Sequence, residues 1–352
     1  MLTRRSVALI GLGNVGRSLL QVLRSQAPLV RERYGCEFRI VGAGDSGGAA
    51  VSQAGLDPAV ALAAKARGAS VASIAAGAFP GMSAVELVRR LPARTIVLES
   101  TPVDLRTGQP GLDVCREALG RELDVVLANK GPLALAYAEL AALSDLGRAG
   151  APALRFSACV GGALPTINLG VRDLAGSRIL RAEAVLNGTT QFILRAMEGG
   201  AAFDAALADA RARGLTETDA ALDVDGWDAA AKLVILSNAV LRRPARLADV
   251  DVEGIAGVTP ERLRAAAARG ERIVLLGVAE AEESGNWKLS VRPTALPLAH
   301  PLARMEGDEM GVVYHTDISG RASATSLERD PVPTAAAMLR DLIEIAGRRP
   351  IP

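Results

Sequence analysis

Four lysines stand out in a chain whose basic side chains are otherwise arginines. The 352 residues contain 40 lysines and arginines together, and only Lys65, Lys130, Lys232 and Lys288 are lysines. Arginine stays charged near neutral pH, whereas the pKa of a partly buried lysine can fall far enough for the side chain to exchange a proton. We therefore expect proton-transfer chemistry at Lys130 and Lys232, which end the motif-like segments Leu-Ala-Asn-Lys and Asp-Ala-Ala-Ala-Lys.

Several carboxylates precede Lys232 at short intervals. Asp228 lies four residues before it, so the two side chains share one face of a predicted helix. Glu217 and Asp223 belong to a short loop bounded by glycines. A purely structural ion pair, worth only about a few tenths of a kcal/mol, is one interpretation. The concentration of carboxylates favours another, a site that binds a substrate ammonium beside a proton-transferring lysine, in which Asp223 either contacts the substrate or shapes the loop.

A glycine-rich turn near the beginning of the chain predicts a dinucleotide site. Gly11, Gly13 and Gly16 form a GxGxxG that follows an apolar run and precedes a helical pattern. In that context the first glycine permits a tight turn, the second lets a pyrophosphate approach the main chain, and the third lets helix and sheet pack closely. The helix beginning near Asn14 and Val15 would present free N–H groups to the phosphates.

Asp45 follows the second predicted strand, where an acidic side chain can bind the ribose hydroxyls of an adenosine. This position favours NAD over NADP, and no arginine stands beside Asp45 to bind a 2′-phosphate. A plain turn in Gly-Asp-Ser-Gly-Gly is an equal alternative, so both cofactors stay open.

The elements that must position these residues alternate between strand and helix up to residue 150. Strands are predicted at 6–10, 38–44, 95–100 and 123–129. This alternation is typical of an α/β fold with a Rossmann-type, doubly wound parallel sheet. Lys130 then lies at the carboxyl end of a parallel strand, the edge at which such sheets bind ligands.

The pattern changes after residue 150 to that of an α+β domain. An apolar run at 153–160 leads into a glycine pair, and helices are predicted around Phe192, around Ala205 and from Trp227 to Leu241. Neighbouring antiparallel strands are predicted at 272–280 and 287–293. We therefore expect a cofactor domain at 1–150, a second domain at 151–310, and a segment at 311–352 that returns to the first domain through a helix near 334–347.

Composition argues against several classes of protein. The formal net charge is +1 and no dense basic tract occurs, which is not typical of a nucleic-acid-binding protein. No run of about 18 apolar residues predicts a membrane span. Cys36, Cys115 and Cys159 lack metal-site or disulfide spacing, so we expect a cytoplasmic protein with a small-molecule partner.

His300 and His315 lie outside any catalytic motif and are interpreted as packing or surface residues.

Taken together, four segments resemble motifs of the homoserine dehydrogenases. They are Ala-Asn-Lys at 128–130, Val-Gly-Gly-Ala-Leu-Pro at 160–165, Asn-Gly-Thr-Thr at 187–190 and the long segment at 214–232. The resemblance extends over nearly the whole chain. It implies a homodimer that reversibly reduces L-aspartate 4-semialdehyde to L-homoserine with NAD(P), in the pathway to threonine, methionine and isoleucine, and that uses its second domain for substrate binding and dimerisation.

The resemblance also implies a role for individual residues. Lys232 would donate the proton, Glu217 and Asp228 would contact homoserine, and Lys130 would lie between cofactor and substrate with a share in proton transfer. Asp223 joins the substrate-binding candidates. The cofactor contacts would include Gly11, Gly13, Asn14, Val15, Gly16, Thr101, Lys130 and Gly214.

Two segments depart from the family pattern. The family commonly has a glutamate three residues before the valine of VGGxxP, where it helps backbone carbonyls to bind a sodium or similar cation, and Ser157 stands there instead. Val160, Gly162 and Leu164 could still offer carbonyls, but the loss of the carboxylate argues against a tight cation site. The late segment 327–335 is also altered, which leaves its contact to the nicotinamide side of the cofactor open.

Two rival interpretations stay open, the first suggested by these departures and the second by the fact that a fold does not fix the substrate. One is an NAD(P)-binding sensor without catalysis, and the other is a dehydrogenase for a related amino-acid aldehyde. The retained Glu217, Asp228, Lys130 and Lys232 argue against the sensor. The chain ends soon after its last predicted helix, so we also expect a short form without the C-terminal ACT domain through which some members sense threonine.

Overall fold

The computed structural model describes residues 2–74, 77–216, 221–282 and 285–347. The chain divides into two compact units, Met1–Gly162 with Asp330–Pro352, and Ala163–Arg329. These boundaries differ from the expected ones at 150 and 310. The first unit extends past 150 because Leu154–Arg155 pairs with a strand of its sheet, and the second unit extends past 310 because Met310–Thr316 pairs within the other sheet.

The first unit contains a seven-stranded sheet in the order β4-β3-β2-β1-β5-β6-β7. Its strands are β1 Thr3–Ile10, β2 Cys36–Asp45, β3 Gly48–Val51, β4 Ala78–Pro80, β5 Ile96–Glu99, β6 Asp124–Leu127 and β7 Leu154–Arg155. Strands β2, β1, β5, β6 and β7 are parallel to one another. Beyond β2, strands β3 and β4 extend the sheet in antiparallel pairing. The predicted Rossmann-type parallel sheet is confirmed.

Six helices of the first unit connect these strands. They are α1 Asn14–Ser25, α2 Ala27–Tyr34, α3 Pro58–Ala66, α4 Ala84–Arg90, α5 Gly111–Gly120 and α6 Gly131–Leu143. Two of these helices begin at clear caps: Asp57 caps α3 ahead of Pro58, and Ser83 and Glu86 form a capping box on α4. Such caps satisfy N–H groups that have no partner within the helix.

The apolar run at 153–160 is a strand only near its start. Only Leu154 and Arg155 pair as a strand, and Ser157–Cys159 forms a 3-10 turn. All eight side chains from 153 to 160 are buried or half-buried, so the apolar run reflects burial rather than extended backbone. A short apolar run cannot by itself distinguish the two.

The second unit is built around a six-stranded sheet in the order β13-β12-β8-β10-β11-β9. Its strands are β8 Ile179–Val185, β9 Val250–Val252, β10 Glu271–Ala281, β11 Trp287–Pro297, β12 Met310–Thr316 and β13 Arg321–Ser326. The predicted antiparallel pairing of β10 with β11 is confirmed. β8, β12 and β13 were not predicted from the sequence, yet β8 lies between β12 and β10 and leads into the site.

Helices cover one face of this second sheet. They are α7 Thr166–Asn168, α8 Gly188–Glu198, α9 Phe203–Ala212, α10 Ala221–Val224, α11 Trp227–Leu236 and α12 Pro260–Ala268. Ile193, Leu233 and Ile273 belong to the core between helices and sheet. α11 continues into a π-helical segment at Ser237–Leu241, so the predicted helix from 227 to 241 ends at the expected place with a changed hydrogen-bond pattern.

A last helix, α13 Val332–Gly347, belongs to the first unit. Its buried residues Met338, Leu342 and Ile345 join the core that also contains Leu19 and Leu20 of α1. Within the described ranges, no helix has the length and hydropathy needed to cross a bilayer.

Candidate active site in two parts

The glycine turn, Gly11–Gly16, has the geometry predicted for a dinucleotide loop. Gly11 has a φ of +91°, and a Cβ on it would lie 2.5 Å from the carbonyl oxygen of Ser100. A Cβ on Gly16 would overlap the carbonyl oxygen of Gly11. Both positions therefore require glycine for the turn to leave β1 and enter α1.

Gly13 differs from its two neighbours because its surroundings are open. A Cβ at Gly13 would meet nothing within 4 Å, and as N-cap of α1 it leaves the helix without a side-chain cap or an acidic residue in the first turn. The first N–H groups of α1, from Asn14 and Val15, therefore face no competing anion of their own helix. This arrangement fits a pyrophosphate at the helix N-terminus.

Asp45 lies at the end of β2, as predicted, but it is already engaged within the first unit. Its Oδ1 accepts hydrogen bonds from Gly47 N (2.9 Å) and Ser70 Oγ (2.6 Å). Its Oδ2 accepts from Lys65 Nζ (2.7 Å) and Val71 N (3.0 Å). Burial alone would raise the pKa of Asp45, but these four bonds outweigh it and lower the pKa below its usual value. Asp45 therefore anchors the turn, and a ribose contact stays a prediction.

A buried carboxyl group supports the loops that follow β5 and β6. Glu99 has 0% exposure, and its Oε1 accepts hydrogen bonds from the N–H (2.9 Å) and the hydroxyl of Thr101. Asn129 Nδ2 donates to Thr101 Oγ1 (3.1 Å), and its Oδ1 accepts from Gly131 N (3.0 Å). Burial raises the pKa of Glu99 to about 7, against the opposing hydrogen bonds from Thr101 and Asn129.

This network fixes the main chain on both sides of Lys130. The lysine is half-buried and occupies the N-cap position of α6, directly after β6. It therefore lies at the carboxyl end of a parallel strand, as the sequence predicted. Thr101, the other predicted cofactor contact in this region, is linked to Asn129 by a single hydrogen bond.

The second unit brings together Asn187, Asp223, Asp228 and Lys232, which we call the acid–lysine cluster. Asn187 follows β8 and caps α8, where its Oδ1 accepts from Thr190 N (2.8 Å). Its Nδ2 donates to Asp223 Oδ1 (2.7 Å) and to Asp228 Oδ2 (2.8 Å). Exposed fractions are 5% for Asn187, 4% for Asp223 and 6% for Asp228. One buried amide therefore holds two carboxylates in place.

Lys232 completes the cluster. Its Nζ donates to Asp228 Oδ2 (2.8 Å) and to the main-chain carbonyl of Leu186 (2.6 Å). Asp228 and Lys232 lie on one face of α11, which confirms the predicted helical spacing. Gly226, with a φ of +86°, allows the chain to turn sharply from α10 into α11. The ion pair is mostly buried, with 14% of the lysine side chain exposed, so it is unlike a solvent-exposed surface pair.

The remaining substrate and cofactor candidates of this unit, Gly214 and Glu217, precede Asp223 in the sequence. Gly214 follows α9 with a φ of +69° and open space where a Cβ would be. Thr189 Oγ1 donates to the carbonyl of Leu215 (2.7 Å), which ties this loop to the start of α8. Glu217 lies outside the described residues, and its predicted substrate contact stays a prediction.

Asn187 is the functional candidate that residue chemistry alone missed. In the sequence it stands out only as part of the Asn-Gly-Thr-Thr motif, and a helix-capping role would explain it fully. Its partners Asp223 and Asp228 follow 36 and 41 residues later in the chain. Only the position of that motif directly ahead of a helix could have indicated its role.

The two histidines pack against one buried carboxylate rather than a substrate site. His300 Nε2 and His315 Nε2 lie 3.2 and 2.8 Å from Glu183 Oε2 on β8. Burial would raise the pKa of Glu183, but His315 and Arg181 lower it below its usual value. This agrees with their interpretation as packing residues. In the described parts of the chain, no group of three or more histidines, cysteines, aspartates or glutamates could hold a metal ion.

The predicted carbonyl donors are divided between the units. Val160, which is buried, and Gly162, with a φ of +54°, belong to the first unit, and Leu164 belongs to the second. Ser157 begins the 3-10 turn ahead of them and is bonded to Asp341 of α13. The three cysteines are buried and form no disulfide.

Comparison with known proteins places the chain in a family. The homoserine dehydrogenase family model matches residues 165–343. A homoserine dehydrogenase of Methanocaldococcus jannaschii is 36% identical over 344 residues, covering 96% of this chain and 98% of that protein. An NAD(+)-dependent homoserine dehydrogenase of Pseudomonas canavaninivorans is 33% identical over 345 residues, covering 98% of this chain and 97% of that protein.

Solved structures give the same result. The crystal structure of a homoserine dehydrogenase from Thiobacillus denitrificans superposes with a TM-score of 0.82 at 32% identity, covering 99% of this chain and 76% of that one. A hyperthermophilic archaeal homoserine dehydrogenase mutant in complex with NADPH gives a TM-score of 0.82 at 26% identity, covering 99% of both chains. The chain belongs to the homoserine dehydrogenase family.

Proposed function

We propose that the chain performs the reaction of its family, the NAD(P)-dependent interconversion of L-homoserine and L-aspartate 4-semialdehyde. The observation that supports this most strongly is the acid–lysine cluster, in which a half-buried lysine contacts a buried carboxylate fixed by Asn187. Reduction of an aldehyde requires a proton for the oxygen as hydride reaches the carbon, and a positioned side chain supplies it most efficiently.

The glycine turn and the N-terminus of α1 would hold the dinucleotide. Gly13 offers the open approach, the N–H groups of Asn14 and Val15 would bind the pyrophosphate, and Thr101 would contact the cofactor from the end of β5. When bound, the nicotinamide supplies hydride in one direction and accepts it in the other. Lys130 and Gly214 are the further candidates for contacts near the reacting end.

Lys232 would hold and move the proton. Hydrogen bonds to Asp228 and to the carbonyl of Leu186 stabilise the charged ammonium and orient it. An ammonium has three N–H donors. Among the described residues two of them are used, by Asp228 and by the carbonyl of Leu186, so one is left for the substrate oxygen. In aldehyde reduction Lys232 gives its proton to the oxygen as the alcohol forms. In alcohol oxidation it takes the hydroxyl proton, and Lys130 would assist on the cofactor side.

The carboxylates would bind the other end of the substrate. Homoserine and aspartate semialdehyde carry an α-ammonium, which needs anionic or carbonyl acceptors in a buried site. Asp228 and Glu217 would supply them, with Asp223 either touching the substrate or fixing the loop. Asn187 is then a positioning residue, because it orients both aspartates without contacting the reacting atoms.

Between the two cofactors we propose a preference for NAD. The carboxylate of Asp45, at the end of β2, would repel a 2′-phosphate, although Lys65 at 2.7 Å offsets part of its charge.

We also propose that the protein is a cytoplasmic homodimer. Measurement of its mass in solution by light scattering tests the dimer.

Formation of NADH and NADPH, followed by absorbance with homoserine and each oxidised cofactor, tests the function. We expect turnover with homoserine, faster with NAD. Turnover only with a related amino alcohol would change the substrate, and cofactor binding without any turnover would indicate the non-catalytic sensor.

A further inference from the structure

The 3-10 turn at Ser157–Cys159 is tied to two elements of the first unit by the chain itself. Ser157 donates its N–H to Asp341 Oδ2 (2.9 Å) and its hydroxyl to Asp341 Oδ1 (2.7 Å). Cys159 donates its thiol to the carbonyl of Leu127 at the end of β6 (3.2 Å). The turn therefore connects α13 with the strand that leads into Lys130.

Asp341 is an unusual residue for the inner face of a helix. It has 0% exposure and lies between Met338 and Leu342, which are both core residues. Burial raises the pKa of Asp341, opposed by the two bonds from Ser157 and by the charges of Arg340 and Arg155. A buried carboxyl is costly unless its oxygens are hydrogen-bonded, and Ser157 supplies a bond to each of them.

These contacts do not fit the cation site that the family resemblance implies. By the resemblance, a glutamate would help backbone carbonyls to bind the cation, and the residue at the place of that glutamate is a neutral serine, Ser157. The hydroxyl proton of Ser157 is directed at Asp341, and each oxygen of Asp341 already accepts one of the two hydrogen bonds from that same serine. The positive charge of Arg155 also acts on this group.

We propose that the Ser157–Asp341 pair replaces a bound monovalent cation in this chain. The pair holds residues 157–162, which carry the carbonyls of Val160 and Gly162, against α13, and the enzyme works without sodium or potassium. Ser157 and Asp341 are positioning residues in this account. The inference rests on the proposed function, because the absence of a cation requirement is measured through the reaction.

The first test uses the unaltered full-length protein. Initial rates are measured in a buffer whose only cation is tetramethylammonium, and then with NaCl or KCl added at constant ionic strength. We expect kcat/KM to change by less than about twofold, since a cation without a site cannot shift the enzyme by mass action. A saturable activation of about fivefold or more by Na⁺ or K⁺ would overturn the proposal. A protein inactive under every condition would instead contradict the proposed function.

The second test removes one bond of the pair. Ser157→Ala keeps the N–H bond to Asp341 and deletes the hydroxyl bond, so the turn loosens and kcat/KM falls by about tenfold. The matched control is Ser144→Ala, which deletes the hydroxyl of another buried serine in the same unit, and that hydroxyl donates to the carbonyl of Ala141 (3.3 Å) rather than to a carboxylate. We expect the control to keep its kcat/KM. Equal effects of the two substitutions would overturn the positioning role.

The third test reverses the sequence difference. Ser157→Glu places a carboxylate where the hydroxyl stood and brings it against Asp341, so like charges meet in a buried site. We expect this variant to lose activity in tetramethylammonium and to recover saturably with Na⁺. A folded Ser157→Glu enzyme that ignores both cations would contradict the proposal, since residue 157 would then not decide the cation response.

Discussion

The glycine turn and the acid–lysine cluster are built on opposite principles. The turn works through the main chain: Gly13 faces open space and α1 has no side-chain cap. The cluster works through side chains, since the buried Asp228 accepts hydrogen bonds from both Asn187 and Lys232. A main-chain site depends on the absence of side-chain atoms, whereas a side-chain site depends on each functional group. The two regions should therefore respond differently to substitution.

The largest effect is expected from the proton donor of the cluster. Lys232→Arg keeps the positive charge but replaces a group that can release its proton by one that does not, so kcat should fall by about two orders of magnitude or more. The control is Lys288→Arg at an exposed position of β11. Steady-state kinetics measure both. Near-normal turnover of Lys232→Arg would remove this lysine from the mechanism.

Glu99 of the first unit should affect stability rather than turnover, and the expected change in free energy is similar in size to that for Lys232→Arg. With a pKa raised to about 7, Glu99 keeps its proton in the folded protein at pH values where the unfolded chain has lost it. Stability should therefore fall as pH rises from about 4.5 to 7 and then level off, a difference of roughly 3 kcal/mol. Glu99→Gln removes this dependence. Urea unfolding at several pH values measures the unfolding free energy of both proteins. The same pH dependence in the unaltered protein and in Glu99→Gln would show that Glu99 does not titrate as stated.

A smaller effect is expected from the amide that orients the aspartates. Asn187→Ala leaves two buried carboxylates without their shared donor and should lower kcat/KM by about tenfold to a hundredfold, from the roughly 1–3 kcal/mol that such a loss costs. Asn238→Ala is the matched control, because among the described residues that amide bonds to main-chain groups, those of Val234 and Ala245. A similar loss of activity in the control would indicate a general effect on folding.

The smallest effects are expected in the glycine turn, where alanine at Gly13 and alanine at Gly16 should have different consequences. Gly13→Ala adds a methyl group in open space, so the unfolding free energy should change by less than about 0.5 kcal/mol. The Michaelis constant for NAD should still rise severalfold, since the pyrophosphate approaches there. Gly16→Ala should destabilise the first unit, because its Cβ meets the carbonyl of Gly11. If Gly13→Ala leaves the Michaelis constant unchanged, the pyrophosphate does not lie over residue 13.

The two regions also differ in how far the sequence predicted them. Gly11 and Gly16 must be glycine for local steric reasons, so their spacing alone indicated the turn, and the same holds for the i, i+4 pair of Asp228 and Lys232 on one helix. Asn187 reaches its partners only through the packing of α8 against α10 and α11, which no local pattern encodes. Ser157 was noticed as a departure, but its partner Asp341 lies 184 residues away.

An apolar run alone does not reveal the form of the backbone. The apolar run at 153–160 is buried without being a strand beyond Arg155. Asp45 was placed correctly at the end of β2, yet its four bonds in the fold could not be foreseen, because Lys65 and Ser70 come from α3 and the segment after it.

A crystal structure of the full-length protein with NAD and homoserine would measure whether the two regions act on one substrate. We predict about 3 Å between the hydroxyl oxygen of homoserine and Nζ of Lys232, with the pyrophosphate over Gly13. A homoserine bound with its hydroxyl beyond hydrogen-bonding reach of Lys232 would contradict the account.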